Sequence, residues 1–420
     1  MTTTLKFEEL AELVRGTGVA IRVRQSLQPA GGKGDKVFPP TYATGDKALK
    51  YAGETRRIDG EDRPCVLLDS VASQANRMEE ALLGAWEEKL LTFPVIGVDF
   101  SGDKELVDLG SITTLQAPHR IADAILRDAT DLDGKTLFRD LPEGKAFTDA
   151  SARNATAVYT LCPTALVFGV WDSTGPKGGL GAKFQRALTS EIVAIGASAG
   201  RKVGSRIDPL GIQANVEIFH RRDDEADWTI DPTEAKQDAK GKPVLFSRTG
   251  AEGKGKASSV NHSNIAPTVD EYAGGITFDH AVQTVVLSLP ALRRLRFVTA
   301  LDGKALAARE VAEPAARTAL AALAIAGIVY QRARGYDLRS RCLLVPDGEF
   351  VLEVVNGDGK VEARRLDVAG ANALLEQAHA AAKKLGLGWE REPIKLKPAP
   401  KLVALIKRSR MEAAAGGGGA

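Results

Sequence analysis

Residues 18–26, GVAIRVRQS, alternate: Ala20, Arg22 and Arg24 fall on one face and Val19, Ile21 and Val23 on the other. A period of two predicts a half-buried strand. The following QPAGGKGDKVFPPTYATGDK holds too much Gly, Pro and Lys for a regular element, so 27–60 is expected to be a surface loop or finger insertion. Ser70 then supplies helix N-cap chemistry. Val71, Ala75, Met78 and Leu82 repeat at the spacing of one buried stripe, predicting a helix from residue 70 onward.

Residues 155–171, ATAVYTLCPTALVFGVW, are β-branched and aromatic enough for one or two strands, with Pro163 interrupting. The pattern predicts a helix over 187–197, strands over 211–220 and 275–289, and a long Ala-rich helix over about 303–330. RCLLVP and EFVLEVV read as a hairpin closed by PDGE. The polar 223–270 region reads as a mobile, thumb-like protrusion and 411–420 as a disordered tail. With no internal repeat and no clean linker, the expectation is one α+β domain over 1–410 with large insertions.

Composition narrows the class. At 420 residues, 44% hydrophobic and 26% charged, the balance is that of a globular chain. The longest apolar run, ALAALAIAGIVY at 319–330, is shorter than a membrane span and lies between Arg317 and Arg332, so no membrane partner is expected. The start, MTTTLKFEELAELV, lacks the layout of an export signal, and a cytoplasmic location is expected. Cys65, Cys162 and Cys342 are widely spaced and form no CxxC pair, which points to buried thiols rather than disulfides or a metal site. No cofactor is expected. The net charge of +2 conceals a division: residues 1–150 carry −6 and the remainder +8. Positive charge gathered downstream suits a polyanionic partner.

One stretch asks for a phosphate. GPKGGLGAKFQR at 175–186 places glycines among Lys177, Lys183 and Arg186, ahead of the predicted helix. The nucleotide motifs fail here. Ala182 separates Gly181 from Lys183 and Phe184 stands where Walker A needs a hydroxyl; Phe184 also occupies the third glycine position of GxGxxG. What remains is generic: free amides at Gly178, Gly179 and Gly181 on a helix N-terminus, with flexible cations beside them. On the helix from 70, Ser70, Ser73, Gln74 and Arg77 recur at i, i+3, i+4 and i+7, opposite the apolar stripe. Short polar groups around one guanidinium suit a sugar and phosphate track.

LLDSVASQANRMEEAL together with PTALVFGVWDSTGPKGGLGAKFQRALTSEIVA resembles the repeated backbone subunit of the CRISPR type I-G (formerly type I-U) Cascade complex, in the repeat-associated mysterious protein superfamily. The similarity runs from the FPPTY region to RCLLVP. It implies an RNA-recognition-motif-like (ferredoxin-like) palm with fingers and thumb, copies wound head to tail along one guide crRNA, and no catalysis by this subunit. It also implies a target DNA strand paired to the guide, and other Cascade subunits, as partners. The family pattern covers Ser73, Gln74, Asn76, Arg77, Trp171, Lys183 and Arg186 of this sequence.

A guide varies in sequence, so its holder must grip phosphate and sugar and leave base edges free. Arg22, Arg24 and His262 join the candidate contacts, the last within TGAEGKGKASSVNHSNIAP, a segment suited to insertion into the RNA and duplex path. Two rivals remain open. One is an endoribonuclease using Asp172 or His262, although neither has a second carboxylate or metal ligand at a telling spacing. The other is a general single-stranded nucleic-acid binder.

Overall fold

The alternation at residues 18–26 extends on both sides into a strand, Gly18–Pro29, that lies near the middle of a ten-stranded sheet. The structure is a computed structural model and describes all residues except 1–2, 46–47, 248–254, 301, 390–391 and 416–420. The chain divides into two units, one of residues 1–40, 51–198 and 277–409, the other of residues 41–50, 199–276 and 410–420.

In the first unit the strands of the large sheet are β1 (Thr3–Thr4), β2 (Gly18–Pro29), β3 (Gly53–Ile58), β4 (Glu61–Asp69), β5 (Leu188–Ile195), β6 (His280–Ser288), β7 (Tyr336–Arg339), β8 (Cys342–Pro346), β9 (Leu352–Asn356) and β10 (Val361–Arg365). Their order is β1-β10-β9-β2-β6-β5-β4-β3, with β8 also on β2 and β7 on β8. The long helices are α1 (Val71–Glu87), α2 (Arg309–Arg334), α3 (Val368–Lys384) and α4 (Pro400–Ala415). Odd-numbered residues of β2 and β6, among them Ile21, Val23, Val285 and Leu287, share one core with Met78 and Leu82 of α1 and with the Ala- and Leu-rich face of α2. The even-numbered residues form the other face of the sheet. There Arg22 pairs with Glu353 at 2.5 Å and Arg56 with Glu191 at 2.7 Å.

α2 is long and apolar enough to cross a membrane by length and composition, yet 83% of its most apolar window is buried inside the protein. A helix that is apolar on every side requires that surround. Residues 411–415, expected to begin a tail, continue α4.

Several expectations are corrected. Residues 155–171 are two short helices, Thr156–Leu161 and Thr164–Phe168, followed by a two-residue strand Val170–Trp171. Every residue of Thr164–Phe168 is buried, and full burial removes the difference between a strand-like and a helix-like apolar run. Residues 188–195 form β5 rather than a helix: Leu188, Ser190 and Ile192 point into the core while Thr189 and Glu191 do not. Of 211–220, only Phe219–His220 is a strand.

PDGE does not turn the chain. β8 and β9 both run antiparallel to β2 and follow one another along the same edge of it, Leu344 opposite Pro29 and Asn356 opposite Gly18. Asp347 N donates to Ser26 O at 2.8 Å and keeps the link on that edge. The hairpin is β9–β10, turned by NGDGK with Gly359 at φ +84°.

In the second unit, an antiparallel ribbon pairs Lys202–Arg206 with Ile265–Asp270, Val203 facing Val269. Asp208 anchors the adjoining loop. Its carboxylate accepts from the amides of Ser263 at 2.7 Å and Leu210 at 3.0 Å, and those bonds hold its pKa below the usual carboxylate range. The expected protrusion at 223–270 falls partly outside the described residues. Its described portion includes Trp228–Thr229 paired with Phe219–His220 and the second strand of the ribbon.

Candidate nucleic-acid interface

Ser70 caps α1 as the sequence predicts, accepting from Ser73 N at 3.3 Å. The helix then distributes its polar residues in two directions. Ala72 and Asn76 are exposed and form one wall of a cleft of about 700 Å³. Gln74 and Arg77 turn elsewhere: full burial takes Gln74 out of reach of an RNA, a correction to the expectation, while Arg77 is partly exposed and bonded within the protein. Gln74 has no exposed surface. It donates to Asp69 Oδ2 at 2.6 Å and accepts from Ser190 at 2.8 Å, Gln283 at 2.9 Å and Gln331 at 3.1 Å. Tyr336 completes the buried network with a bond to Gln283 Oε1 at 2.9 Å. Arg77 donates to the same Asp69 oxygen at 2.9 Å and to the carbonyls of Asp337 and Leu338. It thereby caps carbonyls of β7, which among the described residues pairs with β8 alone. Ser73 is half-buried beside its cap.

The opposite wall of the cleft comes from the glycine-rich region, for reasons other than those read from the sequence. Gly178–Leu180 is a single tight turn, and the next regular elements are the strand Lys183–Phe184 and then β5, so no helix N-terminus presents the amides of Gly178, Gly179 and Gly181. The glycines instead let the loop close on Asp172. A Cβ on Gly175 would sit 2.2 Å from Asp172 Oδ2, and one on Gly181 2.2 Å from Asp172 O. Asp172 is 1% exposed and holds Arg139 through both oxygens, at 2.7 and 2.8 Å. Lys177 is neutralised by Asp149 at 2.6 Å.

What the closed loop delivers to the cleft is Trp171, Lys183 and Arg186. Trp171 and Lys183 are cross-strand partners, with the ammonium 4.6 Å from the centroid of an indole that is 51% exposed. Neither Lys183 nor Arg186 has a carboxylate within ion-pair distance among the described residues, and both are exposed. Gly169, at φ +86°, leaves room for the Arg186 stem.

The floor holds Arg120, which sequence reasoning missed because HRIADAILR carries no motif. Arg120 is 6% exposed and left-handed, at φ +53°. It clasps Glu79 through two bonds of 2.7 and 2.6 Å and donates to Gly169 O at 3.0 Å. Burial pushes the Glu79 carboxyl up, to about 7, against the pull of the Arg120 charge. Burial, and then the neighbouring Arg120, lower the Arg186 pKa. Two guanidiniums over one reluctant carboxylate leave this corner cationic, a place where an anion relieves repulsion. His119 and Arg127 line the same cleft.

The remaining expected contacts are not among the residues that line it. Arg22 is paired with Glu353 on the other face of the sheet, while Arg24 on the same face is exposed. His262 belongs to the second unit, its Nδ1 4.0 Å from Asp208 Oδ2. Cys65, Cys162 and Cys342 are buried free thiols, as expected, and burial pushes Cys342 up to about 12.

Residues 21–199 match the family described as CRISPR-associated protein GSU0053. The match supports a CRISPR-associated protein. It spans α1, the Arg120 turn and the loop from Gly169 to Arg186, hence the whole lining of the cleft. No curated protein matches the chain.

Proposed function

We propose that this chain is the guide-holding backbone subunit of a type I-G Cascade complex, gripping RNA by phosphate and sugar without reading bases. The observation that carries the reading is the cleft, in which Lys183 and Arg186, neither with a carboxylate at ion-pair distance among the described residues, line the same space as exposed Trp171 and Asn76 of α1. Cations without a carboxylate at ion-pair distance are available to neutralise phosphates, a ring stacks on any base, and a short amide reaches sugar or phosphate. The order β9-β2-β6-β5, with α1 lying between β2 and β5 in the chain after the inserted β3–β4 pair, and α2 between β6 and β9, supports an RNA-recognition-motif-like palm. Its other face carries the ion-paired Arg22 and Arg56 with Arg24 exposed, while the cleft gathers Trp171, Lys183 and Arg186 in one place, so the grip is assigned to the cleft. In the second unit, the ribbon exposes Val203 (77%) and Val269 (59%), apolar side chains suited to wedging between bases of the guide or its duplex with target DNA. Further copies bind head to tail along the strand, and other Cascade subunits complete the assembly. We assign the chain holding rather than cutting, because Asp172, the acid nearest the cleft's glycine loop, spends both oxygens on Arg139.

The test is binding to a labelled guide-repeat RNA over a salt series. Lys183→Ala with Arg186→Ala weakens binding equally for unrelated guide sequences and lowers the slope of log affinity against log salt by up to ~2. An unchanged slope removes the cleft from the interface. Incubation of the wild-type chain with the same RNA and Mg²⁺ leaves it intact; cleavage abolished by Asp172→Ala overturns the holding role.

A further inference from the structure

A second cationic surface lies beside α1 and shares no residue with the lining of the cleft. It is built on the β7–β8 hairpin. Arg339 faces Cys342 across the ladder, so Ser340 and Arg341 make a two-residue turn. Such turns favour Gly, Asn or Asp because φ is positive. Here the left-handed position, at φ +61°, is held by Arg341. Arg341 is thereby held in a backbone conformation that residues with a Cβ seldom adopt. Arg120 in the cleft floor is the parallel case.

The Arg341 guanidinium lies 3.8 Å from the centroid of Phe38, and Lys36 is 5.9 Å from the same ring. Phe38 N donates to Arg341 O at 3.0 Å, fixing ring and turn together. Arg334, at the end of α2, lies across α1 over Gly84, where a Cβ would meet its Nη2. Arg334, Arg339 and Arg341 are exposed and have no carboxylate at ion-pair distance among the described residues. Asp337 is the exposed acid on β7, and Asp347 is matched by Lys33 at 3.5 Å. Arg77 bolts the hairpin to α1, so these cations are presented on a rigid support.

We propose that the Arg334, Arg339 and Arg341 surface binds the phosphate backbone of double-stranded DNA, separately from the cleft. Unpaired guanidiniums on a hairpin tip suit phosphates lining a groove, and Arg side chains enter narrow minor grooves. Phe38, the ring that Arg341 and Lys36 cover, is half-buried, whereas the cleft's Trp171 is exposed beside a single cation, so stacking of an unpaired base belongs to the cleft and this patch favours a duplex over a single strand. The proposal does not rest on the guide-holding role.

The experiment measures affinity for a mixed-sequence DNA duplex and for guide-repeat RNA, each over a salt series, using the full chain. Arg339→Glu with Arg341→Glu weakens duplex binding at least ~10-fold and lowers its salt slope by about 2, while RNA binding sensitive to Lys183 and Arg186 is kept. Arg341→Gly suits the turn and leaves the melting temperature unchanged or raised, yet it also weakens duplex binding, which separates binding from folding. Unchanged duplex affinity in both variants overturns the proposal. So does an equal loss of RNA binding, which makes the hairpin part of the guide track. Loss of binding to poly-glutamate with duplex binding kept assigns the surface to an acidic protein instead, and likewise overturns it.

Discussion

Gln74 and Arg77 show what a side chain's polarity leaves open. Their i and i+3 spacing on the face opposite the apolar stripe is plain in the sequence, but a polar face is the same pattern whether water, a ligand or other polar groups cover it. Here Ser190, Gln283, Gln331 and Asp69 cover it, drawn from β5, β6, α2 and β4, and nothing local announces those partners. Asn76, one residue before Arg77, turns outward by a single helical step and stays in the cleft. Arg77→Ala therefore destabilises the fold by about 2 kcal/mol, because Asp69 loses a charged donor while remaining buried and the β7 carbonyls lose theirs. Urea denaturation reads the loss, and RNA affinity per folded molecule stays within about twofold. A variant with unaltered stability and weakened RNA binding returns Arg77 to the interface.

At the level of elements, the sequence is most legible where one period dominates, as in β2, β6, α1 and α2. It misleads where two periods fit the same letters. LTSEIVAI in β5 reads as an amphipathic helix or as a strand, and only the sheet on both sides decides. The glycine run was legible as a loop, but the reason for its glycines was not, since the obstacle they avoid is Asp172 folded back beneath them. Gly181→Ala meets the Asp172 carbonyl and costs about 2 kcal/mol of stability. The same strain displaces Lys183, so weakened RNA binding accompanies the lowered melting temperature. Asp149→Ala, which frees only Lys177, leaves the melting temperature unmoved. Equal behaviour of the two variants contradicts the closed-loop account. PDGE misled for a related reason: turn chemistry is also interruption chemistry, and β2 is long enough to hold two strands in succession along one edge.

For the whole molecule, the division of charge between the first 150 residues and the rest holds a clue that counting alone misses, because arginines are spent on structure as well as display. Glu313 near the start of α2 takes Arg296 at 3.0 Å, Arg309 at 2.8 Å and Arg317 at 2.7 Å. Burial raises its pKa, but the bonds from Arg309 and Arg296 and the Phe297 amide, with the charge of Arg317, outweigh that and hold it below the ordinary 4.5. A carboxyl lowered in the folded state stabilises the protein above 4.5, and that contribution is lost as pH falls through its folded value. Glu313→Gln is accordingly less stable than wild type at neutral pH and approaches it in acid; a gap that persists at low pH contradicts the assignment. Nor does composition disclose that the segment from 199 to 276 leaves the first unit from the end of β5 and rejoins it at β6, where Ile195 and His280 are already ladder partners. Removing that excursion together with residues 41–50, whose Lys50 N donates to Tyr272 O, and joining the stumps with short turns therefore asks nothing new of the sheet. Nature, or an engineer, is free to exchange this appendage for another of different size while the remainder folds as before.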